Sequence, residues 1–92
     1  MRIRWTEPAV SDLEQICDYL EQHAGQRVAG RIVRSIFDGI GKLARFPELG
    51  RTGRRAETRE LVFTRIPYIA IYRINQKCVE ILRILHGAQK SP

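Results

Sequence analysis

Very little in this chain could build a covalent or metal-bound framework. Its 92 residues include two cysteines, Cys17 and Cys78. Both sit inside apolar patterns without metal-ligand spacing, so they read as reduced core residues, and no cofactor or metal is expected. No apolar run approaches the roughly 20 residues that span a bilayer, and the opening MRIRW lacks the apolar block of a secretory signal. The expected location is the cytoplasm, with no membrane partner. Internal repeats, linkers and low-complexity tracts are missing. So are a helix-turn-helix pattern and the aromatic motifs of RNA-binding folds, which argues against a purely structural nucleic-acid module.

A hydrophobic fraction of 43% and a charged fraction of 28% describe an ordinary globular chain and exclude disorder. The length supports one domain, 1–92, with one modest core. Acidic residues are scarce in the second half. Residues 1–50 carry seven basic and seven acidic groups, whereas the remainder carries nine basic groups against only Glu57, Glu60 and Glu80. The whole net charge of +6 therefore lies beyond residue 50, mostly as arginine, which binds carboxylate and phosphate bidentately. An acidic partner is expected for that half, and net charge alone does not choose between nucleic acid and an acidic protein segment.

The run from Arg59 to His86 organises the rest. Leu61 to Phe63, Tyr68 to Ile74 and Cys78 to Leu85 are rich in β-branched and aromatic residues and read as a three-stranded meander. Ile66 and Pro67 mark its corner, and Asn75, Gln76 and Lys77 its polar turn. Alternation places Tyr68, Ala70, Tyr72 and Ile74 opposite Ile69, Ile71 and Arg73. In the third strand it places Val79, Ile81, Arg83 and Leu85 opposite Cys78, Glu80, Leu82 and Ile84. Both faces are mostly apolar, so a meander of this kind needs a cover.

The first half supplies it. Met1 to Trp5 alternates like a half-buried strand with Trp5 as a core anchor, and Thr6 is suited to cap a helix carrying Pro8 in its first turn. That helix buries Ala9, Leu13, Ile16, Cys17 and Leu20, shows an acidic outer face of Asp12, Glu14, Asp18 and Glu21, and ends at Gly25. A second helix is predicted from Gln26 to Ala44, with Val28, Ala29, Ile32, Val33, Ile36, Phe37, Ile40, Leu43 and Ala44 inward. Arg27, Arg31, Arg34, Asp38, Lys42 and Arg45 fall outward. Gly30, Gly39 and Gly41 each weaken this helix by about 1 kcal/mol relative to Ala, and close approach of a neighbouring element is expected to compensate. The two helices form an antiparallel hairpin over one sheet face. The second face is expected to expose apolar surface edged by arginine, as a protein-binding surface does. The alternative is a shield made by the loop RTGRRAETR and the tail from Gly87 to Pro92. Arg51, Arg54 and Arg55 in that loop read either as solvated cations or as an anion-binding rim.

The ordered set W-x-x-x-A-x-x-D-L from Trp5, Tyr19 of D-Y-L, F-P-E-L-G-R from Phe46, R-E-L from Arg59, P-Y-I-A-I-Y-R-I from Pro67 and V-E-I-L-R-I-L-H-G-A from Val79 resembles the RelE/ParE superfamily of toxins from bacterial type II toxin–antitoxin modules. The resemblance implies an α+β fold. In it an N-terminal strand and an antiparallel helical hairpin pack on a mainly antiparallel sheet that ends in a three-stranded meander. It also implies growth inhibition, plasmid stabilisation and one of two actions, ribosome-dependent mRNA cleavage or poisoning of DNA gyrase. The ribonuclease branch commonly places an Arg after the first tyrosine of the second meander strand, Lys-Arg after the glycine that ends the last strand, and a tyrosine near the C-terminus. Those positions here hold Ile69, Ala88 and Gln89, and no tyrosine follows Tyr72. The gyrase branch is therefore favoured, with His86 the remaining acid–base candidate.

The implied partners are a ParD-like antitoxin with an acidic C-terminal segment, gyrase or alternatively the ribosome with mRNA, and operator DNA only through the antitoxin. Arg51, Arg54, Arg55, Arg59, Arg65, Tyr72, Arg73, Arg83 and His86 are the candidate target- or antitoxin-binding residues. Arg73→Glu is expected to lower toxicity or antitoxin affinity without unfolding the domain.

Overall fold

The computed structural model describes residues 1–87. Its elements run β1 (Arg2–Trp5), α1 (Glu7–Ala24), α2 (Gln26–Gly41), a 3-10 turn (Lys42–Ala44), β2 (Arg51–Thr52), β3 (Arg59–Val62), β4 (Tyr68–Asn75) and β5 (Cys78–His86). The expected hairpin and meander are both present. The five strands form one sheet in the order β1-β5-β4-β3-β2, with β1 parallel to β5 and the other pairs antiparallel.

Local chemistry explains the helix ends. The Thr6 hydroxyl accepts from the Ala9 N–H and donates to the Ile81 carbonyl, so one side chain both caps α1 and ties it to β5. Gly25, at φ +89°, makes the link between the helices in a conformation that costs other residues strain. Helix α2 stops at Gly41, three residues short of the expected end, and tightens into the 3-10 turn.

Both helices pack on one sheet face, where Ile36, Ile40, Leu43, Tyr72, Val79 and Ile81 are almost completely buried. Phe37, predicted inward, is half exposed at 48%, and its ring lies 5.3 Å from that of Trp5. Only one of the three α2 glycines has the expected neighbour. A Cβ on Gly39 would strike the Phe63 ring, whereas Gly30 and Gly41 have nothing within 4 Å.

The uniform alternation expected of the third meander strand is corrected by a bulge. Tyr72 pairs with Ile81 but Ile71 pairs with Arg83, leaving Leu82 as an extra residue. The phase therefore flips. Val79, Ile81 and Ile84 share the helix-covered face, while Glu80, Arg83 and Leu85 share the other. Without the bulge Arg83 would point at the core and Ile84 away from it.

The outer face is not the open apolar surface expected. Leu85 is 7% exposed and Ile69 and Ile71 are half-buried, and Arg51, Arg54, Arg55 and Thr58 of the preceding segment border small clefts with them. The shield expected from the loop is present, and the part assigned to Ala88–Pro92 lies outside the described residues.

Candidate binding surface

The outer face begins with a charge ladder across three strands. Glu80 on β5 stands opposite Arg4 on β1 and Arg73 on β4, and both arginines pair with its carboxylate. Arg73 Nε donates to Glu80 Oε1 at 2.6 Å. These two guanidinium groups, Arg4 foremost, draw the Glu80 carboxyl down to about 2, although burial opposes them. A second cross-strand pair lies at the far edge, where Arg51 Nε and Nη2 both donate to Glu60 Oε1 at 3.1 and 2.9 Å. Glu60 and Glu80 are the buried charges of the fold among the described residues.

At the other end of β5, where β1 no longer pairs with it, Asp12 of α1 closes the strand edge. Its Oδ2 accepts from the Ile84 N–H at 2.9 Å and from Arg83 Nε at 2.7 Å, and its Oδ1 accepts from Arg83 Nη2 at 3.0 Å. This bidentate contact raises the Arg83 guanidinium above its ordinary value.

The phrases F-P-E-L-G-R, R-E-L and Y-I-A-I-Y-R-I meet at one point. The Tyr72 hydroxyl donates to the Pro47 carbonyl at 2.7 Å and accepts from the Gly50 N–H at 2.9 Å. Arg59 Nη1 donates to the Gly50 carbonyl at 2.8 Å. A Cβ on Gly50 would lie 2.7 Å from the Tyr72 ring and 2.8 Å from the Glu60 carbonyl. These residues lock the turn from Phe46 to Gly50 onto the sheet.

The candidate residues thus separate. Tyr72, with none of its surface exposed, offers nothing to a partner, and burial pushes its phenol up. Arg51, Arg59, Arg73 and Arg83 are each engaged inside the fold. Reversing Arg73 would set a second carboxylate against a buried Glu80, so Arg73→Glu is expected to destabilise the domain and is no clean probe of binding. Arg54, Arg55 and Arg65 stay exposed. His86 is exposed at the end of β5, its ring edge-on to Tyr68 at 5.6 Å.

His86 and Tyr68 border a groove of about 490 Å³ between α1 and the free stretch of β5, lined also by Ile16, Tyr19, Leu20 and Pro67. Its mainly apolar lining, edged by Asp12, Gln15 and Arg83, and the exposed Tyr19 ring stacked 4.1 Å from His23 suit a protein segment. No sequence pattern marked it, because it lies between elements about 50 residues or more apart in the chain. The Arg73–Glu80 pair was within reach of the sequence, since a two-residue turn at Gln76 and Lys77 fixes that register, whereas the expected three-residue turn does not. Positive φ at Gln76, +58°, closes this turn.

A family model described as "ParE toxin of type II toxin-antitoxin system, parDE" matches residues 3–91. Among relatives, the Sinorhizobium fredii protein Y4kP is 44% identical over 91 residues, covering 99% of this chain and 93% of its own. Toxin RelE2 of Caulobacter vibrioides is 37% identical over 91 residues, covering 96% and 97%. A solved structure titled "Chromosomal ParDE TA system from P. aeruginosa" superposes with a TM-score of 0.87 at 30% identity, covering 94% of this chain and 95% of that one.

Proposed function

This chain belongs to the ParE toxin family of type II toxin–antitoxin systems, and from that premise we propose that it arrests growth by binding and poisoning DNA gyrase, held in check by a ParD-like antitoxin. The observation that carries the reading is the occupation of the sheet arginines. Cleaving a phosphodiester requires groups that hold the phosphate and a pair that moves protons. Arg51, Arg73 and Arg83 instead neutralise Glu60, Glu80 and Asp12, and Arg59 pins a turn. Tyr68, the ring beside His86, has its phenol pushed up by burial, which makes it a poor base at neutral pH. What remains is the apolar groove beside α1, where the extended acidic segment of an antitoxin would find anchors for its apolar side chains.

Ribosome-dependent mRNA cleavage is the second reading, and the edge-on pair of His86 and Tyr68 favours it because an imidazole is there to act as general acid. Purified gyrase, ATP and plasmid, incubated with the toxin freed from its antitoxin, separate the two. Accumulation of linear, protein-linked plasmid is expected. Untouched gyrase together with ribosome-dependent cleavage of mRNA, lost in His86→Ala, would replace this reading with the second.

A further inference from the structure

Cations are distributed differently on the folded surface than along the chain. Beyond residue 50 four arginines are engaged by Glu60, Glu80, Asp12 and the carbonyl of Gly50. On α2, in the half of the chain with no net charge, Arg27, Arg31 and Arg34 are all exposed, and none makes an ion pair with the described residues. Their spacing of four and then three residues sets them on one helix face, spanning about 10 Å at 1.5 Å per residue.

Gly30 borders that face, three residues after Arg27 and four before Arg34. It is exposed, and a Cβ there would meet nothing within 4 Å. A glycine inside a helix costs about 1 kcal/mol relative to Ala, and here no internal packing accounts for it. Gly39, nine residues further on and against Phe63, shows what an internal reason looks like. With Gln26 these residues outline a shallow, open notch on the surface of α2. The outer face of α1 is acidic, with Glu14, Asp18 and Glu21 exposed, and Asp38 follows Arg34 by one turn. The cations available to an anionic ligand on the helical hairpin thus concentrate on the first three turns of α2.

We propose that Arg27, Gly30, Arg31 and Arg34 form a binding site for the phosphodiester backbone of a nucleic acid. Each guanidinium presents the fork that matches a phosphate, three of them span successive phosphates of one strand, and Gly30 lets that strand lie against the helix. Recognition is of backbone and not of bases, so the site positions the toxin on nucleic acid without selecting sequence. The site stands whether the toxin's target is gyrase with its DNA or the ribosome with its mRNA.

The test is fluorescence anisotropy on the full chain freed from antitoxin, with labelled duplex DNA of about 30 base pairs and single-stranded RNA of about 30 nucleotides, between about 50 and 200 mM salt. Three variants are compared with the parent: R27Q/R31Q/R34Q, the equally charged control R54Q/R65Q/K77Q, and Gly30→Gln, which fills the notch with a good helix former. The first should flatten the slope of log affinity against log salt by about 2.7 on duplex or about 2 on the single strand, as expected for three lost phosphate contacts. The control should stay near the parent. Gly30→Gln should bind more weakly while melting at the same or a higher temperature. The probe that shows the loss identifies the source of the phosphates. Equal slopes for the parent and R27Q/R31Q/R34Q on both probes, or an equal loss in the control, would overturn the site, and so would unchanged affinity in Gly30→Gln. A loss of antitoxin affinity alone, with both nucleic-acid slopes intact, would assign this face to the antitoxin and overturn it too.

Discussion

Tyr72→Phe isolates the lock that joins the turn from Phe46 to Gly50 to the sheet. The substitution keeps the ring, which is fully buried, and removes only the hydroxyl. That hydroxyl is donor to the Pro47 carbonyl and acceptor from the buried Gly50 N–H. The Gly50 N–H is left without its bond in a buried site, while the half-buried Pro47 carbonyl regains water. An orphaned buried group costs about 1–3 kcal/mol, and with the Gly50 N–H as the buried one the expected loss is about 1–3 kcal/mol. For a domain of this size, each 1 kcal/mol moves the melting temperature by about 4–8 °C. Urea denaturation is the assay, and the midpoint should fall while the slope with denaturant stays the same. Gly50→Ala forces a methyl against the same ring and should cost about 1–3 kcal/mol by overpacking. Because both changes act on one contact, the double variant should lose less than their sum. A loss below about 0.5 kcal/mol in Tyr72→Phe, or additivity in the cycle, would refute the lock.

Three further outcomes are expected. Glu80 has its folded pKa lowered to about 2 from the ordinary 4.5, so its contribution is complete above the unfolded value and disappears as pH falls from about 4.5 through 2. Acid titration followed by circular dichroism should show Glu80→Gln with a flatter loss of stability across that window than the parent; identical profiles would count against the ladder. Asp12→Ala should cost about 1–2 kcal/mol in urea, since it strips the Ile84 N–H of its acceptor while Arg83, 40% exposed, regains water. Gly30→Ala should stabilise by about 1 kcal/mol because its Cβ enters open space, whereas Gly39→Ala should gain nothing because the Phe63 ring must shift. Equal melting temperatures for these two glycine variants would remove that distinction.

Periodicity, capping residues and turn chemistry were enough to lay out β1, the helical hairpin and the meander. Each depends on interactions within a few residues: Thr6 on the Ala9 N–H, Gly25 at positive φ, and the apolar spacing of α1 and α2. The bulge at Leu82 escaped that reasoning because no local residue demands it. It satisfies the helix-covered core, which takes Ile81 and Ile84, and the outer face, which takes Arg83. Charge behaved in the same way. The sequence determined how many arginines there are, but pairing is set by contacts such as Arg83 with Asp12, which are 71 residues apart. Folding therefore buried Tyr72 and paired Arg73 and Arg83 with carboxylates of the fold while leaving their side chains partly exposed. It left Arg27, Arg31 and Arg34 outside, on a helix whose composition alone had made them look like an ordinary solvated face, because no carboxylate among the described residues reaches them there.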